Sequence, residues 1–183
     1  MKWLIASDIH GSAYYCSRLF DRFEVEGADR LLLLGDLLYH GPRNDLPRDY
    51  DTRETARLLN AHCGVISAVR GNCDAEVDQM VLDFPVMADY ALFDLGGTEV
   101  FATHGHLFDA ANPPRLAPGG ILLCGHTHVP ACKAVGEISY LNPGSVSIPK
   151  EASPHSYMVY ENGVFTWKDL AGAPYMSYPD EKA

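Results

Sequence analysis

The 183-residue chain carries 14 Lys and Arg against 24 Asp and Glu, a formal net charge of −10 that opposes binding to a long polyanion such as nucleic acid. That length suits one domain burying roughly 70% of its unfolded surface, so the core needs no covalent staples. Five cysteines without a C-x-x-C pair argue against a disulfide framework and a zinc knuckle, and they suit a reducing cytoplasm.

The opening MKWLIASDIHG has a short apolar run that Asp8 and His10 interrupt before an export signal could form. The longest aliphatic run, Leu31 to Leu34, falls far below the roughly 18 residues of a membrane-spanning helix. A soluble, cytoplasmic protein with no membrane partner is expected. Residues 2–7, 29–34 and 64–69 are apolar runs ending in polar turns, and they read as strands buried on both faces. Between the first two, Cys16, Leu19, Phe20 and Phe23 have the spacing of an amphipathic helix that ends near Gly27. Between the second and third, Asp51 and Glu54 suggest a capping box opening a helix to about Cys63. Two βαβ units are expected.

After residue 80 the chain turns β-rich. YALFDLGGTEVFATHG predicts a hairpin at Gly96-Gly97; ILLCG, the stretch from Val129 to Val135, and SVSIP predict further strands; and SYMVYENGVFTWKDL predicts a hairpin at Asn162-Gly163. An α/β half followed by a β-rich half points to two packed sheets flanked by helices, in one domain over residues 1–171. The tail 172–183, with Pro174 and Pro179, is expected to be loosely held. Residues 39–50 form one long polar loop of the kind that borders functional sites.

Polar exceptions fall at the predicted strand ends: Asp8 and His10, Asp36, Asn72, His104 and His106, and His126 and His128. Any one of them has an ordinary use, Asp8 as the cap of a following helix or a histidine as a hydrogen-bonding partner. Their coincidence at five strand ends points to a metal site. Residues two apart in extended backbone share a side, so Asp8 with His10, and His126 with His128, can each pinch one ion. Carboxylates, imidazoles and one amide oxygen suit Mn²⁺, Fe²⁺ or Zn²⁺.

The motifs D-x-H at Asp8 and His10, G-D at Gly35 and Asp36, G-N at Gly71 and Asn72, T-H-G-H at Thr103 to His106 and G-H-T-H at Gly125 to His128 resemble the calcineurin-like metallophosphoesterases. The blocks stand in the family's order and span most of the chain. GDLLYHGPRN, RGNCDAEVDQM and NPGSVSIPK look closer still to small bacterial YfcE-type phosphodiesterases. The resemblance implies a four-layer αββα sandwich of two mixed β-sheets flanked by helices. It also implies two divalent ions per chain, Mn²⁺ first, with Fe²⁺, Zn²⁺, Ni²⁺ and Co²⁺ as alternatives. One ion would take Asp8, His10, Asp36 and His128, and the other Asn72, His104 and His126, with Asp36 bridging.

The expected reaction is hydrolysis of a small phosphodiester by a hydroxide held between the ions. Many relatives have histidine after G-N where this chain has Cys73, and a thiol is a poor proton donor, so activated leaving groups such as aryl groups are expected. The general acid is left unassigned among His106, Cys73 and Asp74. His40 and Arg43 are the candidate substrate contacts, Arg43 as a forked phosphate donor. A phosphomonoesterase or nucleotide phosphatase on the same site, or a non-catalytic scaffold of the same fold, are the alternatives. Self-association stays open.

Overall fold

The structure, a computed structural model, describes residues 1–179. The first apolar run forms β1 (Trp3–Ala6), and Ser12 then starts α1 (Ala13–Glu26) by accepting the Tyr15 amide on its hydroxyl. Asp8 is thereby left free of capping duty. α1 stops at Gly27, whose φ of 61° turns its amide back to the last carbonyls of the helix. β2 (Arg30–Leu33) follows. Asp51 caps α2 (Thr52–Asn60) by accepting the Arg53 and Glu54 amides, but Glu54 pairs with Arg57 instead of closing the expected box. That helix ends three residues before Cys63, and a single 3-10 turn leads into β3 (Ile66–Ala68). α3 (Glu76–Gln79) is one turn long.

The β-rich half opens with the expected hairpin of β4 (Tyr90–Leu95) and β5 (Thr98–Thr103), followed by β6 (Ile121–Leu123) and β7 (Pro130–Val135). The next strand is β8 (Ile138–Pro143), not SVSIP. SVSIP is irregular because its polar groups are used elsewhere: the Ser145 and Ser147 hydroxyls both donate to the Asp8 carbonyl at 2.9 Å, and the Val146 amide donates to the Ser7 carbonyl. β9 (Ser156–Glu161) and β10 (Val164–Asp169) form the second expected hairpin. The chain was expected to be loose from Gly172, yet β11 (Pro174–Tyr178) pairs with β10 as an edge strand, with Met176 and Tyr178 packed on the inner core. Residues 180–183 of that tail lie outside the described residues.

The strands make two mixed sheets, one ordered β11-β10-β9-β1-β2-β3 and one ordered β4-β5-β6-β8-β7. Between them lie Ile5, Leu32 and Leu34 from the first and Val100, Ala102, Leu123 and Leu141 from the second. On the outer face of the first sheet, Leu4, Leu31 and Leu33 pack under Phe20 and Phe23 of α1 and Leu59 of α2. Each such aliphatic side chain contributes about 1.5–3 kcal/mol on burial. The outer face of the second sheet, Phe101, Leu122 and Tyr140, is covered by Phe108 and Leu116 of the irregular segment 104–120. The two packed mixed sheets of the expected α/β sandwich are present, with irregular chain in place of helices over the outer face of the second sheet. Parallel β1, β2 and β3 in one sheet, and parallel β5, β6 and β8 in the other, bring their carboxyl ends to one rim. Among the described residues, no helix is long and apolar enough to cross a membrane.

Away from that rim, one charged network locks the end of α1 to the first sheet. Glu26, only 6% exposed at its side chain, accepts both Lys168 Nζ, at 2.8 and 2.9 Å, and the Tyr157 hydroxyl at 2.8 Å. Burial alone would raise the Glu26 carboxyl, but the bonds from Lys168 and Tyr157 outweigh it and hold it below its ordinary value. A carboxyl lowered on folding stabilises the fold above the unfolded-state value and loses that contribution as pH falls through the folded-state value. Glu26→Gln is therefore expected to cost about 2 kcal/mol at neutral pH, roughly 4–8 °C of melting temperature. Calorimetry of both proteins at pH 7 and at about pH 3.5 checks this, since the difference should shrink at the lower pH.

Candidate metal centre

Asp8, His10, Asp36, His126 and His128 sit just past the carboxyl ends of β1, β2 and β6, all with positive φ, from 49° to 67°. Left-handed backbone costs a non-glycine residue about 1–2 kcal/mol, and Asp and His tolerate it better than most. The local cause is inter-loop hydrogen bonding. The amides of Asp8, His10 and Gly11 donate to the carbonyls of Gly35, Asp36 and Leu37, so the first two loops run side by side. The pairs are thus not juxtaposed by extended alternation, as the sequence suggests, but by tight turns. His128 turns toward Asp8 and His10, and His126 toward His104.

Three imidazoles donate Nδ1–H to backbone carbonyls: His10 to Tyr39 at 2.7 Å, His104 to Leu34 at 2.7 Å and His128 to Ile148 at 2.6 Å. In the neutral ring this fixes the tautomer and leaves the Nε2 lone pair facing inward. His10 Nε2 and His128 Nε2 then face each other at 3.2 Å, with Asp8 Oδ1 3.5 and 3.2 Å from them. Asp8 Oδ1 is buried with no hydrogen-bond partner. On the other side, His104 Nε2 is 3.1 Å from Asn72 Oδ1, 3.2 Å from His126 Nδ1 and 3.4 Å from Asp36 Oδ2. Asp36 Oδ2 also lies 3.7 Å from His10 Nε2.

These are groups of nitrogen and oxygen atoms that can each offer an electron pair once the imidazoles are neutral. A proton on His104 Nε2 can point to only one of its three neighbours, whereas a cation accepts from all. Donors about 2.0–2.2 Å from a common ion at ordinary ligand angles lie roughly 3.0–3.6 Å apart, and the observed separations fall in or next to that range. The residues therefore fit divalent ions: Asp8, His10, Asp36 and His128 around one position, and Asn72, His104, His126 and Asp36 around a second. Burial lowers the pKa of His104, but the Asp36 and Asp8 carboxylates overcome it and carry it to about 9. The same carboxylates would favour a metal cation there.

The remaining candidates lie around this centre in different ways. Asp74 accepts the Asp36 amide at 2.8 Å, the Gly71 amide at 2.7 Å and the Leu37 amide at 2.9 Å, tying the β2 loop to the β3 loop. Burial, together with the nearby Asp36 carboxylate, holds its carboxyl above the ordinary value despite the pull of those amides. It neither orients an imidazole nor caps α3, where Asp78 holds the Ala75 amide. Gly71 is fixed by the same contact, because a Cβ there would run into the Asp36 carboxylate and amide. The Cys73 amide donates to Asp36 Oδ1, and its thiol is pushed up to about 12 by burial and by Asp36.

His106 stands 5.4 Å from His104 between ring centres, with a buried, unpartnered Nδ1. Burial, His104 and Arg70 lower its pKa below the ordinary histidine value. Arg43 lines the cavity over the centre with Asp36, Asn72, Cys73, His126 and His128, whereas His40 packs against Tyr39 and Tyr50 and is not part of that lining. Lys150 is a member that sequence reasoning missed. The only signal for it was a lone basic residue closing NPGSVSIPK, because the turn bringing it to the rim depends on its amide reaching the His128 carbonyl.

Residues 1–163 match the family described as the calcineurin-like phosphoesterase superfamily domain. The chain is 48% identical over 166 residues to a protein of Escherichia coli K12 named Phosphodiesterase YfcE, covering 91% of this chain and 90% of that one. It is 28% identical to a Bacillus subtilis protein named Probable metallophosphoesterase YsnB, over 87% of this chain and 83% of the other. The solved structure of Yfce, a phosphoesterase from E. coli, superposes with a TM-score of 0.94 at 44% identity, covering 97% of this chain and 98% of that one.

Asp74→Asn keeps the shape but places an NH₂ group against amide donors, releasing at least one of the three bonds that position Asp36. Mn²⁺ affinity is expected to fall about 10–100-fold, the usual effect of losing a group that orients a ligand. Titration calorimetry of chelator-stripped protein measures it; unchanged affinity with an unchanged melting temperature would show that Asp74 does not position Asp36.

Proposed function

Because the chain belongs to the calcineurin-like phosphoesterase superfamily, we propose that it is a metal-dependent phosphodiesterase with a centre of two divalent ions, Mn²⁺ first among them. The observation that carries the two-ion reading is the division of potential ligand atoms into two groups that meet at the Asp36 carboxylate. The likeness to a protein named phosphodiesterase supports the diester reading.

Asp8, His10, His128 and Asp36 hold one ion in this reading, and Asn72, His104, His126 and Asp36 the other. Divalent ions held there would supply charge neutralisation for a phosphoryl group and would lower the pKa of a water. Arg43 and Lys150, at the mouth of the cavity, bring positive charge to an otherwise acidic chain, and the Arg43 fork suits two phosphoryl oxygens. Asn72 contributes an oxygen without adding a third carboxylate. None of Asp74, Cys73 and His106 is a ready proton donor to the leaving oxygen: the Asp74 oxygens are engaged by three amides, the Cys73 thiol is raised to about 12, and the His106 pKa is lowered. Leaving groups that depart as stable anions are therefore favoured. Reduced cysteines support a cytoplasmic location.

Chelator-stripped protein is expected to be inactive on bis(4-nitrophenyl) phosphate and to regain activity with Mn²⁺, which should outpace hydrolysis of 4-nitrophenyl phosphate. Asp8→Ala should leave about one ion per chain by elemental analysis, and Asp36→Ala should weaken both. Faster hydrolysis of the monoester would make the protein a phosphatase, and absence of bound metal would make it a scaffold.

A further inference from the structure

Beside the charged cavity lies an apolar one of about 460 Å³, walled chiefly by Leu38, Tyr39, Tyr50, Ala56, Val77 and Val81. Cys73 lines both cavities, so they share one wall. Tyr39 provides a second link: its ring borders the apolar cavity, while its carbonyl holds His10 Nδ1 at 2.7 Å. The walls are open to solvent, with Tyr39, Val77 and Val81 exposed by 42%, 62% and 50%. Clustered apolar side chains left in water mark a surface that gains by being covered. Charged groups contribute little: Asp78 is engaged by the Ala75 amide, leaving Arg53 as the one basic residue of the lining.

We propose that this cavity receives the leaving group of the diester when that group is an uncharged, planar aryl of one or two rings, with Tyr39, Val77 and Val81 setting the preference. This rests on the hydrolase reading above. Two aromatic side chains and aliphatic walls beside a metal centre give a flat, uncharged ring more contact than an alkyl group or a sugar would find, and the volume lies within the range of small-molecule sites. In the reaction, water oxygen bonds to phosphorus and the bond from phosphorus to the aryl oxygen breaks. The electron pair leaves on that oxygen, and the proton released by water neutralises it through solvent. A ring held past Cys73 directs the departing oxygen away from the metal-binding side chains and toward that opening.

The test compares kcat/KM of the Mn²⁺-loaded protein on 2-naphthyl methyl phosphate and on hexafluoroisopropyl methyl phosphate, whose alcohols have comparable acidity. Val77→Glu and Val81→Glu alter exposed positions and should each lower the naphthyl-to-fluoroalkyl ratio about tenfold. Binding of 2-naphthol to metal-free protein, followed by its fluorescence, should be present in the wild type and weakened in both variants. A ratio and naphthol binding unchanged by both substitutions would overturn the proposal. So would an unchanged ratio accompanied by dissociation of an oligomer in sedimentation, which would make the face a contact between copies of this chain. If the wild type hydrolyses neither diester, the hydrolase reading fails, and naphthol binding alone then decides whether the cavity takes an aromatic ring.

Discussion

Asp36 Oδ2 lies 3.7 Å from His10 Nε2 and 3.4 Å from His104 Nε2, and this position between two groups of electron-pair donors is the constraint on which the rim depends. Lone pairs held so close in a buried space repel unless positive charge lies among them. The rest of the fold supplies the restraint. Asp74 fixes the Asp36 backbone through three amides on two loops, and Ser145 and Ser147 fix the Asp8 carbonyl. Backbone carbonyls aim three imidazoles. Most of these contacts join segments distant in sequence, so the site is a product of the whole sandwich.

Strain and restraint are matched locally. Five donor residues adopt left-handed backbone that a strand end would not choose alone, and each loop is bonded to a neighbour that makes the turn the available conformation. The glycines act in the same way. Gly125 crosses Ser7 and the Asp8 carboxylate so closely that a Cβ would collide with them, and Gly71 crosses Asp36 likewise. Close approach of backbone to carboxylate is what lets both sheets contribute to one small volume.

Around that volume the surface is divided by chemistry. Arg43 and Lys150 form a basic margin on an acidic chain, suited to drawing an anionic ester to the centre. Across Cys73 the lining becomes apolar and aromatic. A phosphodiester has the same division, one charged phosphoryl group and two organic substituents, and the proposed arrangement assigns one cavity to each kind of group.

The sequence by itself determined the strand-end motifs, the βαβ order, the hairpins at Gly96-Gly97 and Asn162-Gly163 and the helix ending at Gly27, because those signals are local: periodicity and turn residues within a few positions. It also carried the family's motifs, and with them the donor set, since the residue types are written in the chain. Tertiary structure alone decided which nitrogen of each histidine faces inward, because that depends on distant carbonyls such as those of Tyr39, Leu34 and Ile148. It decided that SVSIP is a support for Asp8 and not a strand, that residues 174–178 pair at a sheet edge, that His40 faces Tyr50 while Lys150 joins the rim, and that Asp74 works through backbone amides. Each of those outcomes depends on which partner a group meets after folding, and local pattern in a chain does not encode that partner.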